Sequence, residues 1–459
     1  METPGNTPSH LSGLGDRLRS SLALKAFLLF VLCLFAAAPL AKIRALQFER
    51  ESRRNEATNE ISHQWGRAQS IVGPILVIPG SYDEVAKETV YVEGVKTTKE
   101  KKIVRRITVC VLPDRFELEA SLQPDWLYRG IFRSPVYRGS ARIEGAWSPP
   151  DMGDLGYSKA VLDWDRCRVL FRVSDPRGLS EVKGVVDNAT LEAQPFAGGP
   201  FPGEWTRLGK DGFSEAPESF SIEFGLRGSQ FFGFLPAGKA GSAKIDSPWP
   251  DPSFSGTLLP EERRVDANGF SSTYRFSEFG RGLPQAWVET AGQSMASRFD
   301  SLVSGVELID PIDSYRLVDR SLKYGLLFVG IGFGVFFLFE ALRNLKLHPM
   351  QYVLAGSGIV VFFLSLLSLS EVVAFGWAYL LAATASSALV GLYAGAVLKE
   401  GKKGALFGAV LAAMFGFLFV VLRQQDFALL CGTVLVFAIL ATVMYVTRKF
   451  DWGRSMGAQ

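Results

Sequence analysis

Few residues in this chain stand in patterns that perform chemistry. Gly233 to Ala240, "GFLPAGKA", has the GxxxxGK spacing of a phosphate-cradling loop. That loop needs a Ser or Thr after the Lys to reach magnesium, but Ala240 stands there, and Pro236 removes a backbone N–H the cradle would use. A turn between strands is the better reading. No GxSxG elbow presents a serine nucleophile, and the histidines are only His10, His63 and His348. Cys33, Cys110, Cys167 and Cys431 form no CxxC pair, so neither a zinc site nor a disulfide scaffold is indicated. Glu261–Glu262 and Asp163–Asp165 adjoin arginines and read as solvated turn charge; a two-carboxylate glycosidase arrangement has no positive support. The pattern implies no catalytic residue, cofactor or metal.

Two stretches stand out as sites of interaction. In "SPWPDPSFSGTLLPEERRVDANGF", residues 247–270, Pro248, Pro250 and Pro252 bracket Trp249, and Phe254 follows. Prolines stiffen a loop and reduce the entropy lost on binding, so Trp249, Pro250, Pro252 and Phe254 could anchor an interface. The alternative is that Trp249 plugs the edge of a β core while the prolines block edge pairing. The second stretch is "LSLSEVVAFG", residues 367–376. From Tyr352 to Leu398 there is no Lys, Arg, Asp or His, and Glu371 is the only charge. An ionisable residue in such surroundings is a functional candidate.

The elements that position these residues follow from hydropathy. The 459-residue chain carries a formal net charge of +3, which leaves no footprint for nucleic acid. Residues 42–320 are mixed and charged, whereas 324–446 are almost continuously apolar. A membrane-crossing helix needs about 20 apolar residues. Six stretches qualify: Leu22–Leu40, Tyr324–Leu342, Tyr352–Leu369, Gly376–Leu398, Gly404–Leu422 and Phe427–Val446. Lys and Arg cluster at Arg17, Arg19 and Lys25, at Arg343 and Lys346, at Lys399, Lys402 and Lys403, and at Arg448, Lys449 and Arg454. If six helices alternate, all four clusters fall on one side, the cytoplasmic one. Both termini are then cytoplasmic and residues 42–320 are exported. The first span also has the three parts of a secretory signal peptide. The helix-compatible "KIRALQFERESRRNEATNEISHQWG" that follows favours an uncleaved anchor.

The expected organisation is a cytoplasmic tail (1–21), an anchor helix (22–41), an exported domain (42–320), a five-helix bundle (321–446) and a cytoplasmic tail (447–459). Within the exported domain, 42–65 reads as a stalk helix with Glu49–Arg53 at i,i+4. Residues 70–300 read as β-rich, from alternating runs such as "FELEASL" and "SFSIEFGLRG" punctuated by Gly and Pro. Cys110 and Cys167 share this exported part; their spacing does not say whether they pair. In the membrane part, Glu340 should snorkel beside Arg343, and small-residue runs such as "GALFGAVLAAMFG" suggest close helix packing. By parity the 371–376 turn lies on the outer face. Glu371 there is either a solvated turn charge or a contact to the exported domain or a neighbouring helix.

"HQWGRAQSIVGPILVIP", "GSQFFGFLPAGK", "SPWPDPSFSGTLLPEE", "GFSSTYRF", "GLPQAW", "GVELIDPIDSYRLVDRSLKYGLLFVGIGFGVFFLFE", "HPMQYVLAGSG" and "LSLSEVVAFGWAYLLAA" occur in one order between about residues 43 and 400. In this the chain resembles the CreD family of cell envelope integrity proteins. One departure is Val372, where the family pattern has histidine. The resemblance implies a protein of the bacterial inner membrane; the fold expected from hydropathy and alternation is multi-pass α-helical, with six spans and a large β-rich (α+β) periplasmic domain between spans one and two. It implies a role in envelope integrity and stress response, and supplies no catalytic residue. The expected function is non-enzymatic: the β domain contacts a periplasmic protein or envelope polymer while the helices sit in the lipid bilayer. A lipid or small-solute translocator is the alternative, and a periplasm-facing hydrolase or transferase a weaker one. The small-residue helices are also compatible with a homo-oligomer.

Overall fold

The computed structural model describes residues 22–92, 95–197, 199–209, 212–289, 294–310, 313–343, 347–424 and 428–448. The chain divides into two compact units. One combines Met1–Arg54 with Ile312–Gln459, and the other is Asn55–Pro311.

The first unit is helical. Helix α1 (Leu22–Trp65) runs unbroken through Pro39, so the expected anchor and stalk are one helix, and its last turns belong to the second unit. Then follow α2 (Ser314–Lys323), α3 (Gly325–Arg343), α4 (Pro349–Ser370), α5 (Phe375–Val397), α6 (Gly401–Arg423) and α7 (Ala428–Thr447). Of the six expected spans, four lie in helices long and apolar enough to cross a membrane. A fifth appears if α2 and α3, bent by 46° at their junction, count as one. The sixth, Phe427–Val446, begins outside the described residues. At 22 residues α4 is about 33 Å long, close to the thickness of a hydrocarbon core.

Helices α5 and α6 approach through glycine. A Cβ placed on Gly404 would lie 2.4 Å from the Gly395 Cα and 2.6 Å from the Gly391 oxygen. Rings fill the remaining space: Phe362 stacks on Phe415 at 4.0 Å, and Phe336 meets Phe407 at 4.3 Å. Away from that seam the two helices expose Trp377, Leu392 and Val420, apolar surface suited to lipid.

The second unit is a β-sandwich, with 17 strands among the described residues. They are β1 (Gln69–Val92), β2 (Val95–Val111), β3 (Arg115–Arg129), β4 (Phe132–Ala146), β5 (Val161–Leu162), β6 (Arg168–Val173), β7 (Leu179–Val186), β8 (Ala189–Phe196), β9 (Trp205–Leu208), β10 (Ser219–Ser229), β11 (Phe231–Phe234), β12 (Ala240–Ser247), β13 (Pro252–Gly256), β14 (Glu262–Asp266), β15 (Gly269–Ser277), β16 (Ala286–Glu289) and β17 (Ser304–Leu308). One sheet runs β14–β15–β12–β3–β4–β10–β7–β8. The other is built on the long β1, which pairs β11, β6 and β2; β17, β9 and β16 extend it. β8 belongs to both, pairing β7 in one sheet and β9 in the other.

The alternation seen in the sequence sets the faces. β3 buries Phe116, Leu118, Ala120 and Leu122 and exposes the residues between them. Rings from opposing sheets meet in the core: Phe171 stacks with Phe224 at 5.8 Å, and Phe234 meets Tyr274 edge-on at 5.2 Å. Cys110 and Cys167 are separate buried free thiols, and burial pushes the Cys167 thiol up to about 12. "GFLPAGKA" connects β11 to β12, with Leu235 and Ala237 fully buried. Arg281 holds that connection: 2% exposed, it donates to the carbonyls of Ala237 (3.1 Å) and Leu283 (2.9 Å) and to Gln285 Oε1 (2.7 Å). Satisfying three acceptors is what allows a guanidinium to be buried there.

Candidate functional site

Glu371 follows the last residue of α4, where the chain reverses into α5. Its side chain is only 12% exposed. Oε1 accepts a hydrogen bond from the Tyr315 hydroxyl at 2.9 Å and faces Arg50 Nε at 3.6 Å. Of the two sequence readings, the structure therefore shows contact with neighbouring helices inside the helical unit. Val372, the departure from the family pattern, is 80% exposed beside it.

Each partner is fixed by its own element. Tyr315 sits in the first turn of α2, capped by Asp313, whose Oδ1 accepts from the backbone N–H groups of Tyr315 (3.2 Å) and Arg316 (3.3 Å). The same oxygen accepts from Arg54 Nη1 at 2.6 Å, and the Arg54 guanidinium lies 5.2 Å over the Tyr315 ring. Gln47, fully buried, donates to Glu51 Oε2 at 2.9 Å and to the Tyr315 carbonyl at 3.5 Å, while its own Oε1 has no partner. Arg44 pairs with Asp319 at 3.2 Å. Arg44, Gln47, Glu51 and Arg54 recur at i, i+3, i+7 and i+10, one face of α1, and face α2 through Asp313, Tyr315 and Asp319.

That stripe is the part sequence reasoning missed. The 3–4 spacing was legible, but only the outward pair Glu49–Arg53 (2.7 Å, both half exposed) was read from it. Glu340 also differs from expectation. It is 4% exposed and does not snorkel, accepting from the Tyr352 hydroxyl at 2.6 Å and the Leu347 N–H at 3.1 Å.

The second stretch lies in the β unit. Trp249 is 6% exposed. Its indole N–H is shared between the carbonyls of Asp251 (3.1 Å) and Ile309 (3.2 Å), and its ring lies 5.1 Å from that of Trp126. The Arg133 guanidinium lies over the Trp126 ring at 4.1 Å and pairs with Asp310 at 2.8 Å. Trp249 thus sits in the core, where a buried indole needs an acceptor, rather than as an exposed anchor. Pro252 opens the edge strand β13 opposite Leu308, where a missing N–H is tolerated. Phe254 is half-buried, edge-on to Phe270 at 5.8 Å, and Pro250 alone of the four is exposed.

A family model described as inner membrane protein CreD matches residues 21–453. The chain is 29% identical over 438 residues to the inner membrane protein CreD of Escherichia coli (strain K12), covering 95% of this chain and 94% of that protein. Because the match runs through the apolar helices and the β-sandwich alike, the chain belongs to the CreD family of inner membrane proteins.

Proposed function

We propose that this chain supports envelope integrity and the envelope stress response without catalysing a reaction, its β unit contacting an envelope polymer or a periplasmic protein. Both termini are cytoplasmic and residues 42–320 periplasmic in this reading, which rests on the one-sided clustering of Lys and Arg. The observation that carries it is the outer face of the sheet built on β3 and β4. Its charged residues pair with one another along a solvent-open face, as Arg142 does with Glu144 (2.9 Å) and Glu223 (3.2 Å). Such a face suits a partner with extended polar surface.

A second reading, a lipid or small-solute translocator, is favoured by Glu340 and Glu371, carboxylates 4% and 12% exposed in the helical unit, each accepting from a tyrosine. Complementation of a strain lacking the protein separates the two. The full chain with Glu340→Gln and Glu371→Gln should restore envelope integrity if the β unit acts. Failure of this double variant at normal abundance would favour the translocator.

A further inference from the structure

The outer face of the β3–β4 sheet is a grid whose register can be followed across the strands. One row runs Ser271–Asp246–Ser121–Ser140–Gly225–Ser180, each residue the cross-strand partner of the next from β15 to β7. The adjoining row reads Lys244–Glu119–Arg142–Glu223–Lys183, alternating in sign at every strand. The row on the other side holds Gln123, Arg138 and Arg227. Long side chains therefore flank a line of four serines, the Asp246 carboxylate and Gly225. The result is a continuous groove of two hollows, about 470 and 390 Å³, that share Ser121 and Asp246. At about 4.8 Å between strands, the six-residue row extends about 24 Å. A Cβ on Gly225 would stand 2.7 Å from the Ser180 hydroxyl and begin to fill the groove.

The chemistry of the walls selects the occupant. Arg142 already has Glu144 and Glu223, Lys244 lies 3.3 Å from Asp246 and Arg264 3.5 Å from Asp266, and Glu119 and Glu181 line the groove besides, so a polyanion would meet carboxylates beside the cations, Lys183 among them. The side chains of the floor row are polar or absent, which offers nothing to an acyl chain or an apolar peptide. The strands beneath are paired on both sides, so no backbone edge is open for an added peptide strand. What the groove presents is serine hydroxyls, which both donate and accept, and one carboxylate, Asp246, held by Lys244 at 3.3 Å, beside a row of charges that alternate in sign.

We infer that this groove binds a neutral, polyhydroxylated polymer, a glycan chain lying across the strands. The inference rests on the proposal that the β unit contacts an envelope polymer, and it names the surface and the polymer class.

The test uses the full chain in detergent, with chitohexaose and cellohexaose as neutral glycan probes and a heparin hexasaccharide as polyanion, followed by calorimetry. A neutral probe should bind wild type, and Ser140→Trp, on an outward strand position, should weaken binding at least 10-fold. Thr190→Trp, on β8 outside the groove, should leave it unchanged. Near-UV circular dichroism checks that both variants keep the fold. Neutral-glycan binding that Ser140→Trp leaves intact would overturn the groove while sparing polymer contact. Binding of the polyanion alone would overturn the neutral class, again sparing polymer contact. Binding of none of the three would overturn this inference and leave the protein-partner form of the proposed function standing.

Discussion

Glu371 has two partners of unequal strength, and single substitutions separate them. A hydrogen bond to a carboxylate contributes about 1.5–3 kcal/mol. An ion pair such as that with Arg50, whose side chain is 38% exposed, contributes about 1 kcal/mol or less. Tyr315→Phe should therefore lower the melting temperature of the detergent-solubilised protein more than Arg50→Gln. Glu371→Gln, which can still accept from the phenol, should cost less than Glu371→Ala. If Arg50→Gln proves the most damaging of the four, the phenol is not the principal partner. In the β unit the residue to titrate is Asp175. The Arg177 guanidinium bonds both its oxygens (2.7 and 2.9 Å), and with help from the Arg67 and Arg177 N–H groups it holds the carboxyl at about 2 instead of 3.8. A depressed pKa stabilises the fold in full above about pH 4 and loses that effect as pH falls toward 2. The effect is about 2 kcal/mol at most, because the Arg177 head is half in solvent. Arg177→Ala should be less stable than wild type at neutral pH, and the two should converge near pH 2 in acid-unfolding curves followed by tryptophan fluorescence.

At the scale of elements, the tightest contact in the helical unit is the glycine seam between α5 and α6. Gly404→Val would drive a branched side chain into Gly395 and Gly391, an overpacking that costs about 1–3 kcal/mol. Gly416→Ala, with nothing within 4 Å of the added carbon, should be tolerated. Thermal melts in one detergent distinguish the two, and equal loss from both would show that the seam is not the limiting contact. The small-residue runs announced close packing in the sequence, because small side chains are what allow helix backbones to approach. Which glycines meet was not legible, since that depends on the rotation of each helix. The same division holds in the β unit. The inward alternation of Phe116, Leu118 and Leu122 was readable because strand period two fixes faces locally. The parallel pairing of β3 with β12, and with it the grooved outer face, was not, because it joins segments over a hundred residues apart. Trp249 read two ways for a related reason. Its second acceptor, Ile309, lies sixty residues along the chain, and no local pattern encodes that acceptor.

The whole molecule is one chain that leaves a helical unit after Arg54, folds a β-sandwich, and returns at Ile312. If α1 and the bent pair α2–α3 each cross a membrane, a folded insert between them keeps both its ends on one side and the two run in opposite directions. In the proposed topology the basic clusters near Arg343 and near Lys402 should be retained in the cytoplasm, where short loops rich in Lys and Arg stay. Reporter fusions read this directly. Alkaline phosphatase, active only outside the cytoplasm, should be active when joined after Gly130, a turn residue with open space where a Cβ would stand. It should also be active after Val373, between α4 and α5, and inactive after Glu400, between α5 and α6, where a fluorescent protein should instead mature. Activity at 373 and 400 together would mean that α5 does not cross. The inverse pattern at 130 and 400 would turn the molecule over and place the β-sandwich in the cytoplasm, removing any periplasmic partner from its reach.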